Sequence, residues 1–285
     1  MLIPLNQPFD LKNTLMSGQA FRWQWDDPWF YGVAFRNIIK VRQTANALDF
    51  SSTPDKEQAL APLLQNYFGL EVDLEAIYAS LNKDDRLRTS IQRYSGMRIL
   101  RQEPWECLVS FICSSASNIP RITKNIESIC DNFGTPIRMG NYIRSAFPSP
   151  EDLADLDPSS LRDIGLGYRA EYIVPTARTI AENRVDLMAL REDSYDAALE
   201  SLISLDGVGD KVANCVLLFS LDKPEAFPVD VWIHRVLGEW YFNNHNCKLS
   251  RQKMRIWAQN QFGRYAGYAN HYLFHNRRLQ DKKLA

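Results

Sequence analysis

The residues best suited to chemistry lie in one stretch, Leu202 to Asp230, which reads LISLDGVGDKVANCVLLFSLDKPEAFPVD. An apolar amphipathic run ends at Leu205, Gly207-Val208-Gly209 makes a tight turn, and a second helix is predicted to start near Lys211. Two glycines around one apolar residue let the chain turn sharply and point N–H groups at an anion beside a helix N-terminus. A helix-hairpin-helix of this kind grips a DNA phosphate through main-chain donors, whatever the base sequence. Lys211 falls in the first turn of the second helix, where the positive dipole end disfavours an ammonium and leaves an amine free to attack. Cys215 lies four residues on, on the same face. Nineteen residues after Lys211, Pro228-Val229-Asp230 sets a carboxylate behind a proline that fixes the chain locally. An amine and a carboxylate are what displacement at a sugar C1′ requires: the amine attacks, and the carboxylate stabilises oxocarbenium-like charge and shuttles protons. Taken alone, the same residues also fit a plain helix–helix turn, a surface lysine and an N-cap for a helix beginning at Val231.

Holding these groups in place requires a scaffold, and the periodicity predicts an α+β fold in two parts. Phe21 to Phe50 reads as strands: Phe21-Arg22-Trp23-Gln24-Trp25 alternates aromatic and polar, as in a sheet with one buried face. Phe30 to Arg42 is rich in β-branched and aromatic residues, with turns expected near Gly32 and Arg36-Asn37. After Ser51-Ser52-Thr53-Pro54 the period changes. Leu60, Leu63, Leu64, Tyr67 and Phe68 share a helical face, although Pro62 argues against an unbroken helix. Beyond Gly96 nearly everything reads as short helices. Ile122, Ile126, Ile129 and Phe133 form a stripe that Gly134 can end, and Ser149-Pro150-Glu151-Asp152 has the cap, proline and acids of a helix start. The expected organisation is a small antiparallel sheet domain with flanking helices over residues 1–95. A larger helical domain would follow over 96–285, its hairpin near 195–221.

Composition bounds the rest. A chain of 285 residues that is 45% hydrophobic and 24% charged can build a real core. No apolar run is long enough for a membrane span, and the N-terminus lacks the pattern of a signal peptide, so an intracellular, DNA-associated protein is expected, cytoplasmic (nucleoid) in a prokaryote. Five cysteines, an odd number without paired spacing, fit reduced thiols. The net charge of −1 is unevenly spread: Lys248 to Ala285 carries nine Lys/Arg against one acid, a basic end on an acidic body. That asymmetry suits a local phosphate-binding face or a solvated tail equally well. His271 and His275 resemble half of a zinc motif, but Tyr272 follows where glutamate is needed, and they are read as non-metal.

Gly207-Val208-Gly209-Asp210-Lys211 with Pro228 and Asp230 resembles the helix-hairpin-helix glycosylases with a Gly/Pro…Asp signature, and more narrowly the 8-oxoguanine DNA glycosylase/AP lyases. Further motifs in the same order carry that resemblance over nearly the whole chain: SGQAFRW at Ser17–Trp23, CLVSFICSS at Cys107–Ser115, GLGYRAEY at Gly165–Tyr172 and YAGYANHYLF at Tyr265–Phe274. The resemblance implies a Schiff-base lysine at Lys211 and a catalytic carboxylate at Asp230. It implies a backbone carbonyl of Gly18 for the N7–H that only oxidised guanine carries. A flipped base would lie between Cys215 and Phe274, with Pro228 lining the pocket and Asn270 at the Watson–Crick edge. Asn118, Arg121, Tyr168 and Arg169 match residues that hold the estranged base and wedge the duplex, and Gly207 and Gly209 belong to the hairpin. The chain departs from the pattern at Asn270 (usually glutamine), Ala116 (usually asparagine), Trp232 (usually histidine) and Asp206 (commonly proline). No cofactor is implied for catalysis, a monovalent cation at the hairpin is admitted, and no iron–sulfur cluster is implied, because Cys247 is the last cysteine.

The expected partner is double-stranded DNA containing oxidised guanine, bound by a monomer with no membrane involvement. Two other readings stand beside it. One is a non-catalytic DNA-binding module, for which Lys211→Gln should change nothing. The other is a glycosylase of the same superfamily for another damaged purine, an alkylated purine or a mismatched adenine. The first of these typically lacks the lysine, and the Gly18 motif argues against the second.

Overall fold

A computed structural model describes residues 1–243 and 247–284, with side chains through Gln280. The strands β1 (Leu2–Pro4), β2 (Gln24–Asp26), β3 (Trp29–Ala34), β4 (Asn37–Gln43) and β5 (Ala47–Thr53) form one antiparallel sheet in the order β1-β5-β4-β3-β2. The short helix α1 (Leu11–Met16) lies in the chain between β1 and β2. Ile39, Val41, Leu48, Phe50 and Phe30 meet Leu60, Leu64, Tyr67 and Phe68 in one core, the last four from α2 (Glu57–Tyr67) and its C-cap. On the other face Lys40 stands 4.3 Å from the Trp29 ring centroid. The period of two is thus used as expected in β3 to β5.

The structure corrects several local expectations. Phe21-Arg22-Trp23 is not strand. All three side chains are buried, and Arg22, 2% exposed, donates to the Ser145 carbonyl and lies 3.6 Å from both Glu106 and Glu127. An arginine reads as solvent-facing in a local pattern, but here its guanidinium is met by residues more than eighty positions away. Gly32 is no turn: it sits mid-strand under Trp23, whose ring would be 2.3 Å from any Cβ there. The hairpin turn falls one residue earlier than expected, at Phe35-Arg36, both with positive φ, as a two-residue connection demands. Helix α2 runs through Pro62, which faces solvent, so water can serve the carbonyl that loses its partner. Burial of Leu60, Leu64 and Tyr67 offsets a penalty of about 3 kcal/mol. Leu63, grouped with that stripe from sequence, is exposed.

The helical part contains α3 (Leu74–Leu81), α4 (Asp85–Arg93), α5 (Pro104–Cys113) and α6 (Ile119–Phe133). A hairpin of β6 (Pro136–Met139) and β7 (Tyr142–Ser145) interrupts it, unforeseen among the short helices expected beyond Gly96, and packs Ile137 and Ala146 on Val33 and Ile38 of the sheet. Next come α7 (Pro150–Ala154), α8 (Pro158–Asp163), α9 (Ala170–Ala181), α10 (Tyr195–Ile203), α11 (Asp210–Ser220), α12 (Val231–Trp240), α13 (Arg251–Phe262) and α14 (Ala266–Leu284). The expected stripe on α6 is buried at Ile122, Ile126 and Ile129, and Gly134 caps its end. Ser149 and Asp152 form a reciprocal capping box at α7. The larger core centres on α5 and α11 and takes in Leu74, Ile77, Leu81, Leu87 and Ile91, which precede residue 96 in the chain. No described helix is long and apolar enough to cross a membrane. Of the basic C-terminal segment, Asp281, Lys282 and Lys283 lie outside the residues whose side chains are described.

Candidate active site

The hairpin between α10 and α11 is seated on α9. Gly207 has φ +73, and a Cβ there would come within 2.5 Å of the Tyr172 ring, so both the backbone and the space demand glycine. Thr176 donates its hydroxyl to the Asp206 carbonyl at 3.0 Å, and Val208 plugs the turn into the core. Gly209 caps α11 without a side chain and meets nothing on its open side, which leaves the first N–H groups of the helix accessible to an anion. Asp210 accepts from the buried Arg255 of α13 at 2.9 Å, and this ion pair braces the start of α11 from behind.

Lys211 occupies the first turn of α11. Its Nζ donates to Ser114 Oγ at 2.7 Å and stands 5.1 Å from the Phe111 ring centroid, so the amine lies where α5 ends and α11 begins. Ser114, the C-cap of α5, directs its own hydrogen to the Phe111 carbonyl and therefore presents only oxygen lone pairs to the amine. One turn along α11, Cys215 is buried; desolvation pushes its thiol up to about 11, with the Lys211 charge pulling the other way. Asp230 caps α12 through Oδ1, which accepts the Ile233 N–H at 2.8 Å. Burial raises the Asp230 carboxyl above its usual range, while the Ile233 N–H, Lys211, the Trp232 N–H and Arg251 oppose that shift. Lys211 and Asp230 thus stand at two helix N-termini, and the Lys211 charge acts on both the Asp230 carboxyl and the Cys215 thiol.

A second group gathers around α14. Asn270 is buried and donates Nδ2 to the Pro228 carbonyl at 2.9 Å, tying α14 to the segment that carries Asp230. Phe274, one turn on, is half-buried, and its Cε1 lies 3.6 Å from where a Cβ on Gly18 would stand. Gly18 itself has φ +92, and Ile119 Cδ1 and Arg278 Nη1 each lie 3.0 Å from that same point. Gly18, Phe274, Ile119 and Arg278 therefore form one wall, joined through α14 to the group around Lys211.

The residues matched to the DNA gap form a third group. Asn118 caps α6 by accepting the Arg121 N–H at 3.0 Å, and Arg121 is exposed. Ala116 has φ +47, a conformation that asparagine tolerates and alanine adopts at a cost of about 1 kcal/mol. Tyr168 donates to the Ser115 carbonyl at 3.1 Å. Arg169, 2% exposed, also donates to Ser115 O and reaches Ala116 O at 3.3 Å. These two residues clasp the Ser115-Ala116 turn in the free protein. Asp206 offers its backbone to Thr176, and Trp232, half-buried, stands beside Arg235. A cleft of about 550 Å³ adjoins the start of α12, lined by Val231, His234, Arg235 and Arg251 among others.

Sequence reasoning did not single out Ser114, Ile119, Arg255 or Arg278. Ser114 stood inside the CLVSFICSS motif, but nothing local tied it to Lys211, ninety-seven residues away. His271 and His275 are buried and held neutral by desolvation, their values lowered to about 3 and about 4. All five cysteines are free.

Residues 2–108 match the 8-oxoguanine DNA glycosylase N-terminal domain, and residues 109–259 match the HhH-GPD superfamily of base excision DNA repair proteins. The chain is 33% identical to the N-glycosylase/DNA lyase of Saccharomyces cerevisiae, over 93% of this chain and 82% of that protein. It is also 33% identical to a probable N-glycosylase/DNA lyase of Methanothermobacter thermautotrophicus, over 98% and 96%. Among solved structures, the 8-oxoguanine glycosylase/lyase of Clostridium acetobutylicum, bound to double-stranded DNA with cytosine opposite 8-oxoguanine, superposes with a TM-score of 0.90. The identity there is 29%, covering 99% of this chain and 98% of that one.

Proposed function

The chain belongs to the 8-oxoguanine DNA glycosylase family of the HhH-GPD base excision repair superfamily, and from that membership we propose how its own residues carry out the reaction. It is a bifunctional N-glycosylase and AP lyase that acts on 8-oxoguanine in duplex DNA. Lys211 Nζ attacks C1′ of the flipped nucleotide, and the N-glycosidic bond breaks with its electrons leaving on the base, which is then protonated. Asp230 stabilises the positive charge that builds at C1′ and moves the protons. Opening of the sugar ring leaves an iminium between Lys211 and C1′. Loss of a C2′ proton then drives β-elimination of the 3′ phosphate. The Gly18 carbonyl accepts the N7–H of the oxidised base, Cys215 and Phe274 enclose it, and Pro228 and Asn270 line its edge. Asn118, Arg121, Tyr168 and Arg169 serve the gap and the estranged base, and Gly207 and Gly209 present the hairpin N–H groups to a backbone phosphate.

The observation that carries this reading is the placement of the Lys211 amine in the first turn of α11, 2.7 Å from Ser114 Oγ at the end of α5. A lysine serving only helix solubility has no reason to point inward between two helices. The steps require no metal or cofactor, so a chelator leaves them intact. The enzyme works as a monomer inside the cell, on the nucleoid in a prokaryote. Lys211→Gln tests the reading: strand cleavage at 8-oxoguanine is lost while affinity for the duplex stays within about threefold. Cleavage by the variant at the wild-type rate would refute it.

A further inference from the structure

We propose that Arg278 is a positioning residue for lesion specificity, holding the Gly18 backbone at the height where its carbonyl meets the base. The inference rests on the reading of Gly18 given above. Arg278 extends from α14, where its Nη2 donates to the Met16 carbonyl, two residues before Gly18, and its guanidinium lies 5.8 Å from the Phe274 ring centroid. Its Nη1 stands 3.0 Å from the point a Cβ on Gly18 would occupy, against the same wall as Ile119 and Phe274. One side chain therefore touches both the loop that reads the base and the aromatic that covers it.

The contact is built, not incidental. Arg278 Nη2 also approaches His275 Nδ1 at 3.4 Å, and His275 Nε2 meets Asn13 Oδ1 at 3.0 Å. Asn13 in turn donates Nδ2 to Asp10 Oδ2 at 2.6 Å. Donors and acceptors agree along the whole chain if His275 is neutral with its proton on Nε2, and its burial keeps it neutral. The network runs Asp10, Asn13, His275, Arg278, Met16 O, and it fastens both ends of α1 to α14. The guanidinium is half-buried, with its Nε shielded and unpartnered and no carboxylate paired to it among the described residues, so its place here is not explained by an ion pair. Gly18, at φ +92, cannot hold its own position through a side chain, so its carbonyl depends on such outside contacts.

The test separates reading the base from cleaving the backbone. Arg278→Leu and Arg278→Lys are compared with wild type in single-turnover excision of 8-oxoguanine and in cleavage of a preformed abasic site, where no base needs reading. The expected result for Arg278→Leu is a loss of excision of roughly tenfold or more, with abasic-site cleavage within about twofold of wild type. Arg278→Lys, which keeps one donor toward Met16 O, recovers part of the loss. Unchanged excision, or excision and abasic-site cleavage falling together, overturns the proposal. If Arg278→Leu does not fold, Asn13→Ala decides at the far end of the network: a smaller but selective loss of excision supports the proposal, and no selective loss overturns it. A wild-type protein inactive on both substrates would sink the functional reading instead.

Discussion

Replacing Asp230 with asparagine separates the observed task of that side chain, the helix cap, from the proposed one, the catalytic carboxylate. As the N-cap of α12, its Oδ1 accepts the Ile233 N–H at 2.8 Å, and asparagine caps a helix about as well as aspartate, where alanine loses about 1 kcal/mol. Removing negative charge from the positive end of α12 costs about 0.3–1 kcal/mol. Burial works in the other direction: desolvation raises the carboxyl above its usual range, and a neutral amide escapes that penalty. The two changes offset, so the net effect on stability stays below about 1 kcal/mol, a Tm shift of no more than about 2–3 °C at this size. Catalysis has no such compensation. An amide neither stabilises the charge at C1′ nor takes a proton, and loss of a positioned acid–base group lowers rates by about 10²–10⁴. Single-turnover excision on an 8-oxoguanine duplex and calorimetric Tm measure both quantities on one preparation. Excision within about threefold of wild type would reduce Asp230 to a helix cap. A fall in rate matched by a large drop in Tm would show that the cap, not the chemistry, was lost.

Three further outcomes follow from the same geometry. Gly207→Ala forces a Cβ to within 2.5 Å of Tyr172 at φ +73, so thermal unfolding should show about 1–3 kcal/mol of destabilisation together with weaker DNA binding; a variant unchanged in both would mean the turn is not tight. Arg255→Met removes the cation paired with the half-buried Asp210 carboxylate, and denaturant unfolding should register a loss of about 1–3 kcal/mol; a change below about 0.5 kcal/mol would contradict the brace. The Glu106 carboxyl, pushed up to about 7 mainly by burial, keeps its proton in the folded state across a window beginning near 4.5, where the unfolded chain has released it. Stability must therefore fall as pH rises through that window. Glu106→Gln should flatten that slope in a denaturation series from pH 4.5 to 8, and an unaltered slope would refute the assignment.

Much of the local geometry around the candidate site was readable before the fold. The GVGDK turn, the N-cap at Asp230 and the capping box at Ser149 are short-range devices whose residue types follow from backbone needs over a few positions. The strands β3 to β5 and the stripe on α6 announce themselves by period. What the pattern missed is long-range. Arg22 looked solvent-facing because its partners Glu106, Glu127 and Ser145 are far along the chain. Pro62 was read as a breaker because a local rule cannot see the core that Leu60 and Leu64 fill. The β6–β7 hairpin is too short to stand out from the helices around it and is fixed by the sheet face it covers. Ser114 and Arg278 reach the site only because α5 and α14 bring them there.

The central claim is that the Lys211 amine forms a covalent iminium with the sugar of a flipped oxidised nucleotide. Borohydride reduction during turnover on a duplex with a single 8-oxoguanine, followed by peptide mass mapping of the adduct, tests it most directly. A reduced DNA adduct on Lys211, absent from Lys211→Gln, is the predicted result. An adduct on another residue, or none while excision proceeds, would contradict the mechanism.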